Sequence, residues 1–267
     1  MADRAGAKGA ILMIHGVNCT GEVWGRMAGQ FRDIGWRVET PTFRPQLRVR
    51  ADPSAELLKL KLADYVEDME AAARRLEAET GRPPVIFGHS MGGLIAQKLA
   101  ERGVARAVVL LTPTAPSGLQ PKRSLAPRFT FANILYSPQS ETRAHKFWRI
   151  GFSWGILNCV PLSRHAGIYA NTCYESGLVY RDLFHREMDT QRISHIDEAR
   201  IGVPVLTIGA ARDRAIHIDM QRRVAEKYKR VGDYLEYANN AHWIVDEPGT
   251  ERVIADIAVW LNAKVAQ

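Results

Sequence analysis

The chain has 267 residues, 46% of them apolar, with a formal charge of +7 and a pI near 9.4. That length and apolar fraction fit one large domain, or one domain carrying an insertion, and exclude a chain too polar to bury a core. The basic residues are scattered as Arg44, Arg48 and Arg50, then Lys122 and Arg123, then Arg222, Arg223, Lys227, Lys229 and Arg230. No nucleic-acid motif goes with them; residues 222–230 read as the solvated face of a helix, with attraction to anionic substrates or membrane surfaces as the alternative.

Taken in chain order, residues 1–8 are polar and small, without the apolar segment of a signal peptide. No stretch reaches the roughly 20 apolar residues of a spanning helix. A cytoplasmic protein without stable membrane insertion is expected. Ala10-Ile11-Leu12-Met13-Ile14 is a continuous apolar run that suits a strand buried on both faces. A helix is predicted over 22–34, with Trp24, Met27, Phe31 and Ile34 on its buried face and Gly35 as its stop. Residues 37–43 read as a second strand, closed by Pro45. Asp52-Pro53 predicts the start of the longest helix, whose buried face carries Leu58, Leu62, Tyr65, Met69, Ala73 and Leu76 and which ends at Gly81.

Residues 84–87 are the third strand, a helix follows from Ser90, and 107–111 is the fourth strand. The rhythm then breaks over 115–200, an irregular stretch holding half of the chain's aromatic residues. It resumes with a strand at 203–208, a helix at 218–228, a strand at 233–237 and a closing helix at 248–263. Alternation of this kind predicts an α/β fold with a mainly parallel sheet covered by helices on both faces. The core is then 1–114 and 201–267. The segment 115–200 is a candidate lid at the C-terminal edge of the strands, where open α/β sheets bind ligands.

Gly88-His89-Ser90-Met91-Gly92 lies between the third strand and a helix, the context in which G-x-S-x-G forms a nucleophile elbow. With His15-Gly16 after the first strand, Asp213 after the penultimate strand and Ala241-His242-Trp243 after the last, the chain resembles the α/β-hydrolase superfamily. The stretch 11–36 is similar to the small soluble esterase and hydroxynitrile-lyase branch. The elbow is similar to that of monoacylglycerol lipases, carboxylesterases and aryl esterases. The resemblance implies a sheet of about six strands, and His15 as a support of the loop that forms the oxyanion hole.

A serine hydroxyl needs a base within hydrogen-bond reach, and the base needs a group to orient it. Ser90, Asp213 and His242 supply nucleophile, acid and base in α/β-hydrolase chain order. Asp219 competes with Asp213, and His217 is a weak rival of His242. The backbone N–H groups of Met91 and Val17 are the expected oxyanion hole. His89 is read as packing or orienting the elbow. Phe147, Trp148 and Trp154 of the insertion, with Trp243 beside His242, are the candidate substrate-binding residues, against the alternative that such aromatics only pack the insertion's own core.

Cys19, Cys159 and Cys173 are odd in number and irregular in spacing, which argues against a disulfide framework and a zinc site. No metal motif and no G-x-G-x-x-G occurs, so no metal and no cofactor is expected. The expected partner is a small-molecule ester, with a homodimer left open. The expected function is hydrolysis of small to medium apolar or aromatic esters, or monoacylglycerols, through an acyl-enzyme. A thioesterase, amidase or C–C hydrolase using the same three residues is the alternative. A non-enzymatic ligand receptor on the same fold is the second alternative.

Overall fold

The computed structural model describes residues 8–119 and 124–265. Lys122, Arg123 and the N-terminal segment before Lys8 lie outside the described residues. Eight strands and ten α-helices carry the architecture among them: β1 (Ala10–Ile14), α1 (Gly25–Asp33), β2 (Arg37–Glu39), α2 (Leu62–Thr80), β3 (Val85–His89), α3 (Met91–Glu101) and β4 (Ala107–Leu111) come first. The insertion holds α4 (Leu125–Thr130), α5 (Ala132–Leu135), β5 (Ala144–His145), α6 (Arg149–Gly151), α7 (Leu162–Ala170), β6 (Glu175–Ser176) and α8 (Gly177–Phe184). The chain closes with β7 (Val205–Ala210), α9 (Ile218–Lys227), β8 (Gly232–Tyr237) and α10 (Thr250–Lys264).

Six strands form one parallel sheet in the order β2-β1-β3-β4-β7-β8. Every residue of β1, β3, β4 and β7 is buried, as expected for strands covered on both faces. Helix α1 packs against α10, and α2 against α3. The order reverses at β1, since the chain runs out to β2 and then returns across to β3. The crevice beyond the ends of β1 and β3 is therefore a topological switch point, and ligands bind there in open α/β sheets. The register Ile14↔Gly88 and His89↔Leu111 brings three strand ends to one level.

The aromatic rings of the insertion between β4 and β7 pack on one another and join the main hydrophobic core. Phe131 meets Phe147 and Phe184 with ring centroids 5.5 and 5.3 Å apart, and Phe147 meets Phe152 at 5.1 Å. The two-residue strands β5 and β6 pair antiparallel. Among the described residues no helix is long and apolar enough to cross a membrane.

Several predicted boundaries are corrected. The helix predicted over 22–34 is a 3₁₀ turn, Gly21–Trp24, followed by α1. Ile34 lies past its end and is 41% exposed, because Gly35 at φ +95° turns the chain there. The second strand keeps only Arg37–Glu39. The longest helix begins at Leu62, ten residues after the Asp52-Pro53 signal. Asp52 has φ +48°, outside the N-cap conformation, and a 3₁₀ turn at Leu57–Lys59 intervenes. Donors at the true start are met by carboxylates, Asp64 accepting from the Lys61 N–H at 2.7 Å and Asp182 from the Leu62 N–H at 3.2 Å. Leu58 therefore lies off the helix and is half-buried.

Candidate active site

The strand-to-helix turn at Ser90 is as tight as its glycines imply. A Cβ at Gly88 would strike the Gly92 carbonyl, and one at Gly92 would strike the Ile14 carbonyl. Ser90 has φ +56° and ψ −120°, a conformation that costs roughly 1–3 kcal/mol and persists only where its surroundings hold it. Those surroundings are hydrogen bonds. The Ser90 N–H donates to Leu111 O at 3.2 Å, while the Thr114 and Gly93 N–H groups both donate to Ser90 O at 2.9 Å. Helix α3 thus begins at Met91, and Ser90 is left at the top of the sheet.

Asp213 and His242 come from the loops after β7 and β8, neighbouring strands. His242 Nδ1–H donates to Asp213 Oδ2 at 2.8 Å, with both side chains almost wholly buried. The other acid candidate, Asp219, faces the exposed His217 across 3.7 Å instead, and His217 caps the start of α9. Asp213 accepts three further hydrogen bonds. The Ala215 and Ile216 N–H groups donate to Oδ1 at 2.7 and 2.8 Å, and Gln221 Nε2 donates to Oδ2 at 2.9 Å. Gln221 is fully buried, and its Oε1 accepts from the Ala210 N–H at 2.9 Å.

Among the described residues Ser90 Oγ makes no hydrogen bond to His242. The two are nonetheless tied through their neighbours. His89 Nε2–H donates to the His242 carbonyl at 2.7 Å, and the two rings lie 4.9 Å apart. Nucleophile–base hydrogen bonds are often long or unmade in the absence of substrate. Burial, with His242 beside it, lowers the pKa of His89 to about 3, so its ring is neutral. His15 behaves alike. Its Nδ1–H donates to Gly16 O at 2.8 Å and its Nε2 accepts from the Phe43 N–H at 3.4 Å. Burial and the Arg48 cation lower its pKa to about 3.

Val17 and Met91 both line the cavity beside Ser90. The Met91 N–H is at a helix start, where no intrahelical acceptor exists. The Val17 N–H has no acceptor among the described residues. Asn18 fixes this loop. At φ +56° and fully buried, it donates from Nδ2 to His145 O and Cys173 O, each at 2.8 Å, and accepts from the Tyr180 hydroxyl. Gly16 lets the loop approach, since a Cβ there would meet Ser90 Cβ at 3.1 Å.

The cavity measures about 850 Å³, and Phe131, Tyr180, Leu183 and Phe184 of the insertion form part of its wall. The four aromatics predicted to bind substrate are not on it. Phe147 is buried between Phe131 and Phe152. Trp148 donates from Nε1 to Thr130 O at 3.1 Å. Trp154 lies under the Arg214 guanidinium at 4.4 Å from the ring centre. Trp243 packs on His89 and Phe152. Gln221, Asn18 and the wall residues were missed by sequence reasoning. The roles of Gln221 and Asn18 depend on folded loops, and for the wall the one sequence signal was the aromatic composition of the insertion.

The loop before α10 adds a buried acid. Glu247 Oε1 accepts from the Ala241 N–H at 2.6 Å and from Asn240 Nδ2 at 3.0 Å, bracing the segment that carries His242. Burial pushes its carboxyl pKa up, and the nearby Asp213 charge adds to this. Among the described residues, no three His, Cys, Asp or Glu side chains gather as a metal cage. The cysteines are free thiols.

A sequence model of the Alpha/beta hydrolase family matches residues 11–255. The chain belongs to the alpha/beta hydrolase family. Solved structures of similar fold include a pyrethroid hydrolase from Sphingobium faniae, at 16% identity and TM-score 0.73, covering 97% of this chain and 99% of the other. A methylesterase from Arabidopsis matches at 11% identity and TM-score 0.71, covering 95% and 99%. A monoacylglycerol lipase from Paleococcus ferrophilus matches at 19% identity and TM-score 0.69, covering 96% and 95%. At these identities the likeness shows the fold. No curated protein sequence matches this family member.

Proposed function

We propose that the protein hydrolyses carboxylic esters of small molecules through an acyl-enzyme on Ser90. The observation that carries this reading is the buried His242–Asp213 pair at 2.8 Å, held beside a serine in a strained elbow. Ser90 Oγ attacks the ester carbonyl and His242 Nε2 takes its proton, then gives it to the leaving alcohol. Asp213 keeps the proton on Nδ1 and stabilises the imidazolium. The Val17 and Met91 N–H groups hold the charge that develops on the carbonyl oxygen, each worth about 3 kcal/mol. Water then attacks the acyl-enzyme with His242 as base. The names of the structural neighbours, a methylesterase, a pyrethroid hydrolase and a monoacylglycerol lipase, favour an ester over an amide. The insertion acts as the lid over the cavity, with room for a drug-sized acyl or aryl group.

Two measurements test this. A fluorophosphonate probe should label the wild-type protein at Ser90. Ser90→Ala should stay folded, resist labelling and lose roughly a millionfold in kcat toward p-nitrophenyl esters. Undiminished turnover by Ser90→Ala would remove the serine mechanism. Absence of labelling in folded wild-type protein would favour a ligand receptor.

A further inference from the structure

The cavity beside Ser90 is lined by two arginines, Arg128 and Arg186, and two acids, Glu187 and Asp219. Asp219 has its own cation, Arg222 Nη1 at 3.4 Å. Glu187 is exposed, and its carboxylate lies 3.4 Å from the His185 ring. The two arginines have no carboxylate partner among the described residues. Arg128 is exposed at the rim. Arg186 is half-buried, and its position is set by two backbone carbonyls. Nε donates to Leu183 O at 3.1 Å and Nη1 to Pro116 O at 3.1 Å.

Those carbonyls orient the guanidinium plane without neutralising it, and Nη2 has no protein partner among the described residues. Pro116 is two residues past Thr114, whose N–H bonds to the Ser90 carbonyl, so the fork and the nucleophile share one wall. Burial lowers the Arg186 pKa below the ordinary arginine value. A cation desolvated this way is stabilised by an incoming anion, and a planar fork suits the two oxygens of a carboxylate or phosphate. Leu135, Leu183, Phe184 and Met220 supply apolar wall in the same chamber.

We propose that the cavity selects esters that also bear an oxyanion, a carboxylate or a phosphate, joined to the scissile ester by an apolar spacer, and that Arg186, with Arg128 at the rim, holds that anion. The inference rests on the ester-hydrolase reading above. It is tested with three p-nitrophenyl esters of matched length, the hexanoate, the adipate monoester and an acyl ester ending in phosphate. Wild type should favour one charged ester over the hexanoate in kcat/KM, and the two charged arms show which oxyanion fits. Arg186→Gln should cut that preference about tenfold to a hundredfold, as for a lost hydrogen bond to a charged group. Arg128→Gln should cut it less. Arg186→Lys, which keeps charge and loses the fork, should restore part of it. Arg252→Gln, on α10 and outside the cavity, should keep it.

Equal kcat/KM on all three esters, or a preference that both Gln variants retain, overturns the inference and leaves ester hydrolysis standing. Turnover of none of them by wild type counts against the hydrolase reading. Calorimetry of Ser90→Ala with the same esters then decides the subsite. Tighter binding of a charged ester, lost in the Ser90→Ala/Arg186→Gln double variant, supports it, and equal binding overturns it. Arg128→Gln, an exposed position, and Arg186→Lys keep the test valid if Arg186→Gln does not fold.

Discussion

Asp213 accepts four hydrogen bonds, and only the one from His242 belongs to the expected triad. Two come from the backbone of its own loop and one from Gln221, a helix residue eight positions later. Gln221 is a positioning residue, because it touches Asp213 and not the reacting atoms. Gln221→Leu should leave the Ala210 N–H without its acceptor and Asp213 Oδ2 with one donor fewer, destabilising the protein by about 1–3 kcal/mol. The less-shared Asp213 charge should favour protonated His242, so the acid limb of kcat/KM should move to higher pH. A merely structural role would lower stability and leave that limb in place. A pH–rate profile with urea denaturation on the same variant separates the two. Ser90, Asp213 and His242 could be proposed from residue type and order alone, since strand ends dictate where such groups meet. Gln221 could not, because a glutamine in a helix is ordinarily solvated and only the fold of loop 211–217 turns this one inward. Ring size alone does not separate pocket lining from packing: Phe147, Trp148 and Trp243 pack within the fold, while Phe131, Tyr180 and Phe184 line the cavity.

Parallel strands were the most legible elements. Their apolar runs are continuous, and 107–111 coincides with β4. Helix starts were less legible, because a cap is defined by backbone conformation and partners rather than by residue type. Asp52-Pro53 carries a start signal, while the helix begins where Asp182 of the insertion meets the Leu62 N–H. Insertion and core are joined again at one buried charge cluster. Arg48 Nη1 meets Glu175 Oε2 at 2.8 Å with both side chains almost unexposed. The Tyr65 hydroxyl donates to Glu175 Oε1 at 2.6 Å, and Arg48 Nε donates to Phe43 O at 3.0 Å. Glu175 lies in β6 of the insertion, and Tyr65 in α2. Removing one charge from such a pair leaves the other buried and uncompensated, at a cost of about 3–5 kcal/mol. Glu175→Gln should therefore lower the unfolding free energy by that amount in urea denaturation. The Arg48→Met/Glu175→Leu double variant should recover much of the loss, since apolar replacement of a whole buried pair is often neutral. A single variant as stable as wild type would mean that the cluster does not join the two parts.

Across the whole molecule, two neutral histidines sit at the switch point, His15 after β1 and His89 at the end of β3. Each is buried, each pKa is lowered from 6.5 to about 3, and burial is the main cause. His89 Nδ1 is buried with no partner, so a proton there would be an unpaired donor. In the unfolded chain both rings titrate near 6.5. Between that value and about 3 the unfolded state binds more protons, so stability falls as pH drops through this window. From pH 7 to pH 5 the two rings together should remove on the order of 4 kcal/mol, a large share of a typical domain's 5–15 kcal/mol. Glu247 works in the opposite direction. Its carboxyl pKa is raised on folding, so the folded state takes up its proton at higher pH than the unfolded state does, and acidification offsets part of the histidine loss. Urea denaturation at pH 7, 6 and 5 should show the net fall with an unchanged m-value. Glu247→Gln keeps an acceptor for the Ala241 N–H while removing the offsetting titration, so its stability should fall more steeply over the same range. A flat wild-type profile would mean that these rings are not held neutral, and that the crevice beside Ser90 tolerates charge on both strand ends.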